Sequence, residues 1–180
     1  MPKIRVTTKI GDNGTSRLFS SETVSKTNSR LDAYGDIDEL VSFLGIVRCH
    51  LKNQNLQNEL QKIQKDLFVI GSELATTDKK YSSLPKHIDA DMVKNMDSKT
   101  ENLNNIIDVP NDFIVPGNTL ASAYLDYARA LCRRCERKIV GLYEQRIISN
   151  QHILVWMNRL SDYLYLLARS EDPKPTRLKS

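Results

Sequence analysis

The sequence predicts an all-α fold: an up-and-down five-helix bundle preceded by an irregular N-terminal arm that is suited to ligand contact. Three observations point there. Apolar residues recur at alternating spacings of four and three along most of the chain. Two loop segments rich in turn-forming residues interrupt them, and the first 27 or so residues show no helical period at all.

The first stripe runs through Ala33, Ile37, Leu40, Leu44, Val47 and Leu51, and the second through Leu56, Leu60, Ile63, Leu67, Ile70 and Leu74. Such spacing places one apolar face on each helix, and faces of this kind pack near-parallel against one another. A weaker helix is expected from about Ile88 to Ile107, with Met92, Met96, Leu103 and Ile106 turned inward. The pattern returns in Ala121, Leu125, Ala128, Cys132, Cys135, Ile139 and Leu142, and again in Ile153, Met157, Leu160, Leu164 and Leu167. Residues 76–85 and 108–118 read as loops, the second because Pro110, Pro116 and Gly117 stop a helix. The expected organisation is one domain, with the arm at residues 1–27, the bundle at 28–172 and a tail at 173–180.

The arm is rich in Thr, Ser, Gly, Asp and Asn. Glycines let a backbone approach a ligand and hydroxyls donate hydrogen bonds. Composition alone leaves a ligand-binding arm and a frayed terminus both open.

A length of 180 residues suits one core, and 40% hydrophobic with 27% charged residues is an ordinary balance. No apolar run reaches the roughly 18 residues of a membrane span, and the N-terminus lacks the apolar centre of a secretory signal, so a cytoplasmic protein is expected. The net charge of +4 is mild and spread along the chain, which disfavours a nucleic-acid partner and favours a small anionic ligand. Basic density rises once, at Arg133, Arg134, Arg137 and Lys138.

That cluster belongs to the most informative helix, which begins near Thr119. Arg129, Arg133 and Arg137 sit four apart and form one ridge. Three guanidiniums in line repel one another unless an anion lies between them. A polyphosphate would serve, and so would carboxylates on a neighbouring helix or subunit. Cys132 and Cys135 fall on the apolar stripe of the same helix and read as small core residues, because one CxxC without a nearby His cannot complete a zinc site. On the last helix Asn158, Ser161, Asp162, Tyr165 and Arg169 make a polar stripe, either a ligand or subunit contact or a solvated face.

Several sites are missing. No GxxxxGKS or GxxxxGKT phosphate loop occurs. Val47, Leu84 and Ser149 stand three residues before His50, His87 and His152, where a di-iron bundle needs Glu. No Ser-His-Asp arrangement stands out.

Four segments together resemble the PduO-type ATP:cob(I)alamin adenosyltransferases. They are TKIGDNGTSRLF at 8–19 with VSK ending at Lys26; AYGDIDELVSFLG at 33–45; FIVPG at 113–117 leading into ARALCRRCERKIV at 128–140; and NRLSDYLYLLAR at 158–169. The resemblance implies a homotrimer of five-helix bundles that uses ATP with Mg2+ and a reduced cobalamin or related corrinoid. It implies that Thr8, Lys9, Gly11, Asp12, Gly14, Thr15 and Ser16, with Lys26, wrap the triphosphate. Arg133, Glu136, Arg137 and Asn158 would complete the nucleotide site across a subunit boundary. Asp38 and Arg129 resemble the family's intersubunit ion pair, and Phe113 its aromatic against the lower face of the corrin. No residue is expected to ligate a metal directly. A reductase and an adenosylcobalamin-dependent enzyme are the protein partners such a reaction implies. The chain departs from the family pattern at Ile10, Asn13, Ser20, Ser21 and Asn118, the last standing where a PGG sequence is common.

Overall fold

The computed structural model describes Thr7, Lys9 and residues 11–172 and 174–178. Five long helices dominate: α1 (Ser29–His50), α2 (Gln54–Leu74), α4 (Ala90–Asn104), α5 (Leu120–Glu144) and α6 (Gln151–Ser170), with a one-turn α3 (Asp78–Tyr81) between α2 and α4. Each long helix starts on a side chain that satisfies an otherwise orphaned backbone N–H: Asn28, Asn53, Asp89, Thr119 and Asn150.

Residue pairs between helices fix their directions. Arg48 donates to Gln64 while Tyr34 packs on Gly71, so α1 and α2 are antiparallel. Lys138 pairs with Asp32 and Arg134 with Glu39, which makes α5 antiparallel to α1. Asn158 donates to Glu136 and Arg169 to Asp126, so α6 reverses α5. Asn150 meets Ile88 and Arg159 meets Asp97, which sets α4 parallel to α6. Direction therefore alternates along the chain through the five long helices.

The sequence stripes form the core. Leu40, Leu44, Val47, Leu60, Ile63, Leu67, Ile70 and Leu74 are fully buried, as are Leu125, Ala128, Cys132, Cys135, Ile139, Met157, Leu160, Leu164 and Leu167. Each large aliphatic side chain removed from water contributes about 1.5–3 kcal/mol. At Gly71 an added Cβ would stand 3.2 Å from the Tyr34 ring, so the glycine lets α1 and α2 approach there.

Three expectations need correction. The weak helix ends at Asn104, and Ile106, expected inward, is 80% exposed. Met96 is buried, whereas Met92 and Leu103 only border the core. The 76–85 loop holds α3. Finally, the chain is not wholly helical. In the arm β1 (Thr15–Arg17) pairs antiparallel with β2 (Thr23–Ser25), and the 108–118 loop carries β3 (Phe113–Val115), which pairs antiparallel with β4 (Thr176–Leu178) in the tail. Three-residue strands are too short for a period-two pattern to show in the sequence.

Candidate functional site

The arm folds into a compact turn and a hairpin. Lys9 and Gly14 both take positive φ, 61° and 74°, the left-handed region that favours glycine. Asp12 N–H donates to the Lys9 carbonyl at 3.3 Å, and Gly14 N–H to the Gly11 carbonyl at 3.2 Å. Lys26 lies across this turn: its N–H donates to the Gly14 carbonyl at 2.9 Å, and its Cε and Nζ stand 3.2 Å from where a Gly11 Cβ would be. Lys9, Gly11, Asp12, Gly14 and Lys26 are thus gathered in one place, followed by the hydroxyls of Thr15 and Ser16. Thr8 and Ile10 lie outside the described residues.

The hairpin tip is anchored on the end of α2. Leu18 is buried, and Ser20 N–H donates to the Ala75 carbonyl at 3.4 Å. Thr77 N–H donates to Ser20 Oγ at 3.2 Å, and Thr77 Oγ1 to Glu22 Oε1 at 2.6 Å. The Ser20 hydroxyl first, then Thr77, hold the Glu22 carboxyl down at about 2. Beneath, the buried Arg30 donates to the Leu74, Thr76 and Ile147 carbonyls and locks the platform. Sequence reasoning missed Arg30, because its carbonyl partners lie far along the chain.

The arginine ridge sits elsewhere. Its neighbours Arg134 and Lys138 turn to α1 and pair with Asp32, Asp36 and Glu39. Arg133 and Arg137 point away from these carboxylates, are exposed, and make no ion pair among the described residues. Arg129 Nε is 3.9 Å from Asp126 Oδ1. Asn158 donates to Glu136 Oε1 at 3.1 Å and accepts from Arg159 at 2.9 Å. Asp38 is exposed and does not meet Arg129 within one chain. Among the described residues, no hydrogen bond, ion pair or shared cavity wall joins the arm to Arg133 or Arg137.

Two cavities open beside the ridge. One, of about 400 Å3, is lined by Arg129, Arg133, Ser161, Asp162 and Tyr165 from α5 and α6, closed by Thr100 and Asn104 of α4. The other, of about 450 Å3, is lined by Asn111, Phe113, Ile114, Asp126, Arg129 and Tyr165, with Arg169. Arg129 and Tyr165 are common to both. Phe113 lies on β3 and is 83% exposed.

The last-helix stripe is not a solvated face throughout: Ser161 and Arg169 are buried. Arg169 donates to Asp126 on α5, and its guanidinium lies 5.3 Å from the centre of the Tyr165 ring. Burial pushes the Asp126 carboxyl up, while Arg169 and Arg129 pull it back. Asp126 escaped the sequence reading because its partner is on another helix. The cysteines are core residues as expected: Cys132 Sγ donates to the Met157 carbonyl, and burial raises both thiols, Cys135 to about 12. Among the described residues no group of three His, Cys, Asp or Glu could cage a metal ion. Among the described residues no helix is long and apolar enough to cross a membrane.

These features define a helical protein with two adjoining cavities, one edged by the exposed Arg133 and one by an exposed aromatic, and with a polar arm anchored apart from both. The chain belongs to the cobalamin adenosyltransferase family, which it matches over residues 6–171. It is 37% identical over 166 residues to the corrinoid adenosyltransferase PduO of Citrobacter freundii, covering 92% of this chain and 49% of that protein. The chain therefore spans about half the length of that relative. A second corrinoid adenosyltransferase of Citrobacter freundii is 35% identical over 171 residues, covering 95% of this chain and 97% of that one. Among solved structures, a phenylalanine-to-alanine variant of the PduO-type ATP:corrinoid adenosyltransferase from Lactobacillus reuteri, complexed with cobalamin and ATP, superposes with a TM-score of 0.88 at 33% identity. It covers 98% of this chain and 100% of that chain. An arginine-to-lysine variant from the same organism, complexed with ATP, gives 0.86 at 32% identity, covering 97% of this chain and 100% of that chain.

Proposed function

We propose that this protein is a corrinoid adenosyltransferase: it transfers the 5′-deoxyadenosyl group of ATP to the cobalt of a reduced cob(I)alamin or related corrinoid and releases triphosphate. The observation that carries the reading is the shared wall. Arg129 and Tyr165 line both the cavity edged by Arg133 and the cavity edged by Phe113, so two reactants bound there would meet at that wall.

The chemistry asks little of the protein in the way of proton transfer. Cobalt in the +1 state donates an electron pair to the 5′ carbon and the Co–C bond forms. The C–O bond to triphosphate breaks, and its pair leaves with the triphosphate oxygen. The protein's work is alignment, stabilisation of the leaving anion and exclusion of water. Arg133 and Arg137, free of carboxylate partners among the described residues, suit the developing charge, and the turn of Lys9, Gly11, Asp12 and Gly14 under Lys26 suits the remaining phosphate oxygens. The Phe113 ring would deny water the lower axial position of the cobalt and so ease its reduction to +1. Mg2+ fits as an ion carried by the triphosphate, because such ions keep several waters and take few protein oxygens.

The arm and the ridge stand apart within one chain. The reading therefore includes a homotrimer of up-and-down five-helix bundles in which the arm of one subunit, with Thr8, closes on Arg133, Glu136, Arg137 and Asn158 of the next, and Asp38 pairs with Arg129 across the same boundary. It also includes one domain (arm 1–27, bundle 28–172, tail 173–180), a cytoplasmic location, and a reductase and an adenosylcobalamin-dependent enzyme as upstream and downstream partners. The test is an anaerobic assay with ATP, Mg2+ and chemically reduced cobalamin. A light-sensitive cobalt–carbon bond is the expected product. Corrinoid bound with ATP but never alkylated would instead make the protein a carrier.

A further inference from the structure

Asn118 stands between Gly117 and Thr119, the N-cap of α5. Its side chain is almost fully engaged. Nδ2 donates to Asp172 Oδ2 at 3.1 Å and to the Lys174 carbonyl at 3.2 Å, and Oδ1 accepts from Thr176 Oγ1 at 2.9 Å. Three alternate residues of the segment between α6 and β4 are therefore tied to one amide. Next to it, Thr119 Oγ1 donates to the Glu171 carbonyl at 2.9 Å.

β4 has little else to hold it. All three of its residues are exposed, and among the described residues it has, apart from its pairing with β3 and the Thr176 bond to Asn118, one long ion pair, Arg177 to Asp112 at 4.0 Å. A two-stranded ribbon of three-residue strands is not stable in water without tertiary support. The register places Leu178 opposite Phe113, and Thr176 opposite Val115. Side chains directly across a ladder lie on one face. Phe113, Val115 and Leu178, all exposed, thus share one face of the ribbon, and Leu178 joins it only while β4 stays on β3.

We infer that Asn118 is a positioning residue for the corrinoid: it clasps the C-terminal strand onto β3 and so presents Phe113 and Leu178 together as a preformed apolar face for the corrin ring. The inference rests on the assignment of Phe113 to the corrinoid under the proposed function. Preorganisation lowers the ordering cost that a ligand would otherwise meet on binding.

The experiment compares wild type with Asn118→Gly, which removes the side-chain amide, by hydrogen exchange and by separate titrations of cob(I)alamin and ATP in the anaerobic assay. Exchange should quicken at 113–115 and 176–178 while α5 and α6 keep their protection. The KM for cob(I)alamin should rise about tenfold, the loss expected when hydrogen bonds of this kind go, with the KM for ATP nearly unchanged. Asn118→Asp should be worse than Asn118→Gly, because its carboxylate would face Asp172. Adding Asp172→Asn should restore part of the affinity, which a general folding defect would not do. Unchanged exchange in the ribbon, or an unchanged corrinoid KM, overturns the clasp. If wild type itself forms no cobalt–carbon bond, the assigned reaction falls and this role of Asn118 falls with it. Wild-type turnover alongside an unaffected Asn118→Gly variant overturns the clasp alone.

Discussion

The β1–β2 ribbon closes through the five residues 18–22, whereas β3 meets β4 only after the chain has passed through the whole of α5 and α6. The first costs little loop-closure entropy, and the second costs more and needs other contacts to hold it. Their supports differ accordingly. The hairpin is latched at its tip by hydroxyls and one carboxylate, Ser20, Thr77 and Glu22, over the buried Leu18. The long-range ribbon leans on Asn118 and lies above a buried charge pair, Asp126 with Arg169. In the proposed function the hairpin side serves ATP and the ribbon side serves the corrinoid. Damage to one side should leave the other substrate's affinity largely intact.

The largest expected effect is on the buried pair. Arg169→Met leaves Asp126 without its main partner and should destabilise the fold by about 3–5 kcal/mol. The Asp126 carboxyl already lies above its ordinary value. Losing Arg169 raises it further, so the cost should grow as pH rises through the carboxylate range and shrink in mild acid. Denaturant titrations at pH 5 and pH 8 measure this, and an equal loss at both would remove the ion pair from the account.

Arg133→Ala should come next, with the fold intact. Loss of a charge-assisted, preorganised donor costs about 2–4 kcal/mol in kcat/KM, expressed through ATP. Full activity with unchanged ATP dependence in the folded variant would take Arg133 out of the nucleotide site.

A smaller effect is expected at the hairpin latch. Thr77→Val removes the hydroxyl that Glu22 accepts and should raise the KM for ATP several-fold while kcat and the corrinoid KM hold. A carboxyl lowered to about 2 favours the folded state at pH above its ordinary 4.5, and this is lost only as pH falls through about 2. The ratio of wild-type to variant KM should therefore be flat between about pH 6 and 9; a slope there would place another titrating group in the latch. Smallest of all, Ser21 has φ 76°, left-handed for a non-glycine residue. Ser21→Gly relieves about 1 kcal/mol of strain, less the entropy that glycine gains in the unfolded chain. A melting temperature unchanged or slightly higher is expected, and a clear fall would show that the Ser21 side chain contributes contacts of its own.

The helices were legible because burial has a period. Every position of the first stripe, from Ala33 to Leu51, is buried, and of the second stripe only Leu56 is partly exposed. The pattern overreached at Ile106, which follows the spacing but falls beyond the end of α4. The ribbons were not legible, since their supports are single hydrogen bonds between distant residues. Asn118 is the plain case: the sequence marked it only as a departure from the family pattern, and the structure ties it to the tail. Arg169 is another, read with a polar stripe yet buried against a carboxylate that no spacing within its own helix displays.

The central claim is that two regions held apart in one chain make one nucleotide site between subunits. Two inactive variants can be co-assembled, Lys26→Ala in the arm and Arg133→Ala on the ridge. In randomly mixed trimers about a quarter of the sites would join an intact arm to an intact ridge. Adenosyl transfer should therefore return to about a quarter of the wild-type rate, with a normal KM for ATP. If each subunit builds its site alone, every site carries one lesion and the mixture stays as inactive as its parents, which would contradict the account.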